Sequence, residues 1–191
     1  MVKVFVPTTE DDRTDIIREA SRMAQYNMDI YMRNFPLDTR ATDAIACSNK
    51  THEIVRHLML NGYSQDGVQV FMLNKDISTE DLAWCFGATH GKMILISDYR
   101  IWNSRYSREA KVAMLTYLIE HEIGHAYHAA DDIRAEGIYD LHCNDPRCVM
   151  QQVPSLESLA QKAKYNFICR ESTEAECFCP HCRERFVLYS R

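Results

Sequence analysis

No stretch of this 191-residue chain approaches the run of about 18 apolar residues that a bilayer-crossing helix requires, so no membrane association is expected. A basic excess is missing too. Lysine and arginine number 22 against 27 aspartates and glutamates, a formal charge of −5, and that balance argues against binding to a phosphate backbone. Internal repeats and low-complexity segments are absent, which excludes solenoid and linker-like architectures. The opening MVKVFVPTTEDD breaks its apolar run at Pro7 and continues into acidic residues, so it is expected to be a first strand rather than an export signal. With 46% hydrophobic and 26% charged residues, the composition is that of a folded soluble protein, expected to be a single domain over 1–191 and cytoplasmic.

Cysteine, by contrast, is abundant and unevenly placed. Of eight cysteines, Cys47 and Cys85 stand alone, while Cys143, Cys148, Cys169, Cys177, Cys179 and Cys182 crowd the last quarter. Without an export signal, such clustering favours metal thiolates over disulfides. Cys143 with Cys148, and Cys179 with Cys182 in a CxxC spacing, give the two pairs of a tetrahedral four-sulfur zinc site; Cys177 and Cys169 are alternatives for the second pair. His181, inside CPHC, is read as a solvated neighbour.

The chain before this cluster alternates strands and helices. VKVFV (2–6) reads as a strand, 11–27 as an amphipathic helix with acidic residues in its first turn, and DIYMRNF (29–35) as a second strand. Residues 37–50 have no clear period and are expected to be loop; 51–60 read as a helix ending before Gly62. VQVFML (68–73) is a third strand, and Ser78 with Asp81 predicts a short helix through Phe86. Gly87 and Gly91 mark a turn before MILIS (93–97), taken as an edge strand above a cleft. A long helix starts near Glu109 behind Ser107, and 155–166 form a shorter one. The pattern implies an α/β fold, mixed α+β in character, with helices packed on a mixed sheet.

The chemistry concentrates in YLIEHEIGHAYH, residues 117–128. His121 and His125, four residues apart, lie on one helical face about one turn from each other and can share one metal ion. Glu122 points away from that direction by about 100°, outside the direct ligand set but within reach of a metal-bound water, as in the HExxH motif of zinc hydrolases. A catalytic zinc takes a third protein ligand. His128, Asp131 and His142 are the candidates by residue type; His128 stands a rise of about 10 Å beyond His121, which opposes its sharing the ion.

The order of elements, HEIGH, then His142–Cys143, Cys148-Val149-Met150 and finally FCPHC, resembles the archaemetzincin family of zinc metalloproteases. The resemblance extends over most of the chain. It implies a metzincin-like zincin fold: a mixed twisted sheet and active-site helix within 1–128, and a zinc-stabilised C-terminal part over 129–191. It further implies that His121, His125 and His142 hold a catalytic zinc, that Glu122 is the general base, that Cys143, Cys148, Cys179 and Cys182 hold a second, structural zinc, and that Met150 belongs to the turn flooring the site. Two departures stand out. His128 occupies the position of a turning glycine, and about eleven extra residues separate HEIGH from His142, leaving Asp131, six residues after His125, as an alternative ligand.

The expected function is zinc-dependent hydrolysis of peptide bonds, with a peptide or protein as substrate and nucleic acid excluded as a partner. A non-catalytic zinc protein that binds peptides is the competing reading. Tyr99, Tyr127 and Tyr139 are possible substrate contacts, although tyrosines in such number more often serve packing.

Overall fold

Alternation along the strands sorts the apolar residues into two cores. The computed structural model describes residues 1–8, 11–64, 66–128, 142–173 and 177–190, with the backbone alone over 168–173. In β1 (Val2–Val6), Val2, Val4 and Val6 face one side while Phe5 faces the other. Its neighbours β3 (Gln69–Leu73) and β5 (Met93–Ser97) split in the same way, sending Val70, Met72, Ile94 and Ile96 to the first side and Phe71, Leu73, Met93 and Leu95 to the second. Both β3 and β5 are buried at every position, as strands covered on both faces must be.

The five strands run in the order β2-β1-β3-β5-β4, with β2 at Met32–Pro36 and β4 at Gly87–His90. All neighbouring pairs are parallel except β4 with β5, which is antiparallel, so the sheet is mixed. The first face is covered by α1 (Asp12–Met28) and α5 (Arg108–Ala126), the second by α2 (Thr39–Ala46) and α3 (Thr51–Leu60). Phe5 and Phe71, paired in register, stack at 4.7 Å beneath the second layer. A buried ion pair, Arg13 to Asp98 at 2.8 Å, ties α1 to the end of β5. Short α4 (Tyr99–Trp102) follows, and α6 (Leu156–Thr173) and α7 (Pro180–Ser190) complete the C-terminal part.

Several sequence expectations are corrected. Residues 37–50 are not all loop: Asp38 accepts from the Ala41 amide at 2.9 Å and starts α2, whose buried face is short and built from Ala41 and Ala44. The second strand begins at Met32, because Asp29 at φ 51° ends α1 in the left-handed conformation. No helix forms from Ser78 to Phe86. Ser78 instead donates its amide to Asn49 and Cys85 donates to Ile77, both at 2.9 Å, so this segment pairs as extended backbone. Gly87–His90 is a strand rather than a turn; the turn lies at Gly91, whose φ of 62° suits glycine. MILIS is therefore internal, and β4 is the edge strand. No helix among the described residues is long and apolar enough to cross a membrane.

Asp38 provides a test of this account of α2. Its carboxyl is lowered to about 2, chiefly by the Ala41 amide, then by the Tyr63 hydroxyl at 2.7 Å, with Arg40 adding to both. The folded pKa lies below the unfolded value of about 3.9, so the stabilisation is present above about pH 4 and is lost as pH falls toward 2. Asp38→Ala is expected to cost about 1 kcal/mol at pH 7. Denaturant titrations across this range should show wild type and variant converging in acid; a constant gap would exclude the ionised cap.

Candidate metal centre

α5 carries the site because it is anchored at both ends and buried along its second half. Ser107 accepts from the Ala110 amide at 3.3 Å and caps its start. From Met114 to Gly124 every residue is buried, so the helix has packing on nearly all sides rather than one apolar stripe. At its other end Lys92, from the turn between β4 and β5, donates to the Ala126 carbonyl at 2.6 Å and lies over the Tyr127 ring, satisfying an orphan acceptor with a cation.

His121 and His125 project from this rigid segment with their Nε2 atoms 3.1 Å apart. His142 joins them from the distant C-terminal part, its ring 5.3 Å from His121 and 5.2 Å from His125. One ring nitrogen from each lies within 4.8 Å of the others. Nδ1 of His121 is 2.7 Å from the Val149 carbonyl, an acceptor, so Nδ1 carries the proton and Nε2 keeps its lone pair toward the other imidazoles. Burial lowers His121 to about 4, against the opposing Val149 contact, and holds His125 well below its ordinary value. His121 and His125 thus favour neutral, lone-pair-bearing forms near neutral pH.

Glu122 points from the same helix toward β4. Thr89 Oγ1 is 2.7 Å from Glu122 Oε2 and 3.1 Å from the Glu122 carbonyl. Burial raises the carboxyl to about 7, and the Thr89 hydroxyl opposes that rise. Gly87 faces the same carboxylate so closely that a Cβ there would lie 2.3 Å from Oε1.

Gly124, one residue before His125, answers a different constraint. A Cβ at this position would come within 2.2 Å of Met150 Sδ and 3.1 Å of Phe178. Its missing side chain is the space into which the fully buried Met150 packs. Val149 and Met150 are held in turn by backbone bonds, Val149 N to Cys177 O at 2.8 Å and Cys143 N to Met150 O at 2.9 Å.

Beside this turn, Cys143, Cys148, Cys179 and Cys182 bring their sulfurs within 4.8 Å of one another. The Asp145 amide donates to Cys143 Sγ at 3.4 Å. Cys148 is lowered to about 6, first by the Cys182 thiol and then by the amides of Cys179 and Met150, whereas burial chiefly raises Cys143 to about 12. Backbone amides aimed at clustered sulfurs suit thiolates bound to a cation. Both donor sets fit zinc: four sulfurs at one site, and three imidazoles with a neighbouring carboxylate at the other.

Comparison of the whole fold with solved structures finds archaemetzincins and a zinc-dependent peptidase among the similar chains. Archaemetzincin from Methanopyrus kandleri aligns over 98% of this chain and 93% of its own, with a TM-score of 0.67 and 16% identity. Archaemetzincin from Archaeoglobus fulgidus, complexed with malonate, aligns over 97% and 99%, with a TM-score of 0.65 and 16% identity. The chain has an archaemetzincin-like fold. A zinc-dependent peptidase from Methanocorpusculum labreanum aligns over 97% of this chain and 100% of its own, at a TM-score of 0.62 and 15% identity. No protein-family model and no curated protein matches the sequence.

Within the archaemetzincin-like frame, the other sequence candidates separate clearly. His128 is exposed at the end of α5, adopts φ 56° and contacts the Tyr189 ring; it takes the left-handed turn that glycine would take more easily. Asp131, Tyr139 and the side chain of Cys169 lie outside the described residues. Cys177 turns its sulfur to the Asn27 carbonyl at 3.7 Å, away from the sulfur cluster, and His181 is exposed. Tyr127 packs against Phe186, and Tyr99 is exposed on α4. Sequence reasoning missed Gly87, Thr89 and Lys92. A two-residue period through GATH would have placed Gly87 and Thr89 on one strand face. Two concavities of about 570 and 680 Å³ lie along α1, α5 and α6, lined by residues such as Met23, Ala113 and Phe167, and neither includes the histidine set.

Gly124→Ala is expected to destabilise the fold by about 1–3 kcal/mol through overpacking against Met150. Gly124→Ala combined with Met150→Ala should cost less than the sum of the two single changes, measured by chemical denaturation. Strict additivity would disprove the contact.

Proposed function

We propose that this protein is a zinc-dependent metallopeptidase. The observation that carries this reading is the convergence of His121, His125 and His142 next to a buried glutamate on a rigid helix. His121, His125 and His142 would hold the metal through one imidazole nitrogen each, a donor set that suits catalytic rather than structural zinc. The bound ion supplies Lewis acidity, polarising a scissile carbonyl and acidifying water.

The remaining chemistry belongs to the chain. Glu122 accepts the proton of the attacking water and returns it to the leaving amine, the work of a general base that then serves as acid. The Val149 carbonyl keeps His121 in the tautomer that presents Nε2. β4, at the edge of the sheet among the described residues, offers its backbone to an extended peptide lying beside Glu122. Cys143, Cys148, Cys179 and Cys182 hold a second zinc that fixes the turn at Val149–Met150.

Metal analysis of purified protein should find two zinc ions per chain, falling to one in His142→Ala. Glu122→Gln should keep both ions and lose about 10²–10⁴-fold in kcat on unstructured peptides. One ion per chain in wild type, with no peptide turnover, would instead identify a peptide-binding zinc protein. Full turnover by Glu122→Gln would remove the glutamate from its role.

A further inference from the structure

β4 is built to hold one side chain of α5. Successive residues of a strand face opposite ways, so Gly87 and Thr89 share the face turned to α5 while Ala88 and His90 turn from it. Both residues on that face meet Glu122. The Thr89 hydroxyl lies 2.7 Å from Oε2, and the absent side chain of Gly87 leaves the volume that Oε1 fills.

A glutamate side chain has three rotatable bonds, and a general base is effective only when its oxygen is held within hydrogen-bond reach of the proton it takes. Packing around α5 buries the Glu122 stem, but packing alone does not orient a carboxylate about its last bond. A donor on one oxygen does. Among the described residues, Thr89 supplies the side-chain hydrogen bond to this carboxylate.

We propose that Thr89 and Gly87 are positioning residues for Glu122: the Thr89 hydroxyl fixes Oε2 and Gly87 leaves the space that Oε1 occupies, so that the carboxylate is held in one orientation. This rests on the reading of Glu122 as proton acceptor. The hydroxyl has a single proton and two acceptors in range, the carboxylate at 2.7 Å and the Glu122 carbonyl at 3.1 Å. The shorter contact goes to the group carrying negative charge, which makes it the stronger bond. The longer one keeps the hydroxyl seated against the helix turn that bears Glu122. Substitution at either position displaces the base without touching a histidine.

The test uses the full-length zinc-loaded protein. Thr89→Val, which keeps the shape and removes the donor, should lower kcat by about 10–100-fold, in line with the cost of misplacing a reacting group. KM should change less than about twofold, and zinc content should match wild type, because bound substrate and metal contacts are retained. Thr89→Ser should restore kcat to within about threefold, since the hydroxyl alone is required. Gly87→Ala should also lower kcat with zinc retained. A crystal structure of the zinc-free Thr89→Val protein gives a readout independent of turnover: the Glu122 carboxylate should leave its wild-type place.

Wild-type kcat in Thr89→Val, with Glu122→Gln inactive, would overturn the positioning role and leave Glu122 as the base. Equal losses in Thr89→Ser and Thr89→Val together with loss of zinc would also overturn it, because the defect would then be structural. If Glu122→Gln is fully active, the base assignment fails, and the zinc-free structure decides: an unmoved carboxylate overturns the cradle and a displaced one supports it.

Discussion

The contact between His121 Nδ1 and the Val149 carbonyl joins parts of the chain that are 28 residues apart, and the geometry around the histidines depends on it. One end belongs to α5, which is fixed by burial on nearly every side. The other belongs to a turn with little regular secondary structure, which must be fixed by something else. Val149 is bonded to Cys177 and flanked by Cys148, while His142 directly precedes Cys143. The sulfur cluster therefore positions both an imidazole of the histidine set and the carbonyl that orients another. A shift of the cluster moves His142 and Val149 together, so the two donor sets behave as one mechanical unit.

The sheet contributes from the opposite side. β5 is enclosed between β3 and β4, and the antiparallel β4, the edge strand among the described residues, brings Gly87 and Thr89 to the helix. Lys92, in the turn that follows β4, closes the end of α5. A single hairpin thus touches α5 at Glu122 and at its last carbonyls. This dual contact fixes the height of the helix relative to the edge strand.

How much of this was legible in the sequence depended on whether the signal was local. The parallel strands, α1, α3 and α5 announced themselves through apolar period, because burial imposes that period directly on the residues. The cysteine pairs and His142 were legible through residue type and order, and the resemblance drawn from them agrees with the fold comparisons. α2 was hidden because it is short and its buried face is built from the small Ala41 and Ala44, and β4 because two glycines suggested a turn, whereas Gly87 is small to accommodate a side chain 35 residues away. Placing MILIS at the edge followed from missing β4. Such errors share a cause: tertiary contacts, unlike periodicity, leave no mark on neighbouring residues.

Electrostatics gives the donor sets their common direction. Burial raises Glu122 to about 7 and Cys143 to about 12, and lowers His121 to about 4, so each of these groups is biased toward its neutral form. For imidazole, neutrality means an available lone pair. For the thiol and the carboxyl, it means a proton that a nearby positive charge displaces. A divalent cation favours ionisation of the thiol and carboxyl and binds the lone pair of the neutral imidazole, whereas a proton neutralises the first two and takes the lone pair of the third. Metal binding at such donors releases protons and joins segments distant in sequence, so its free energy adds to folding. The same burial that makes these groups costly to ionise alone therefore makes them selective for a cation.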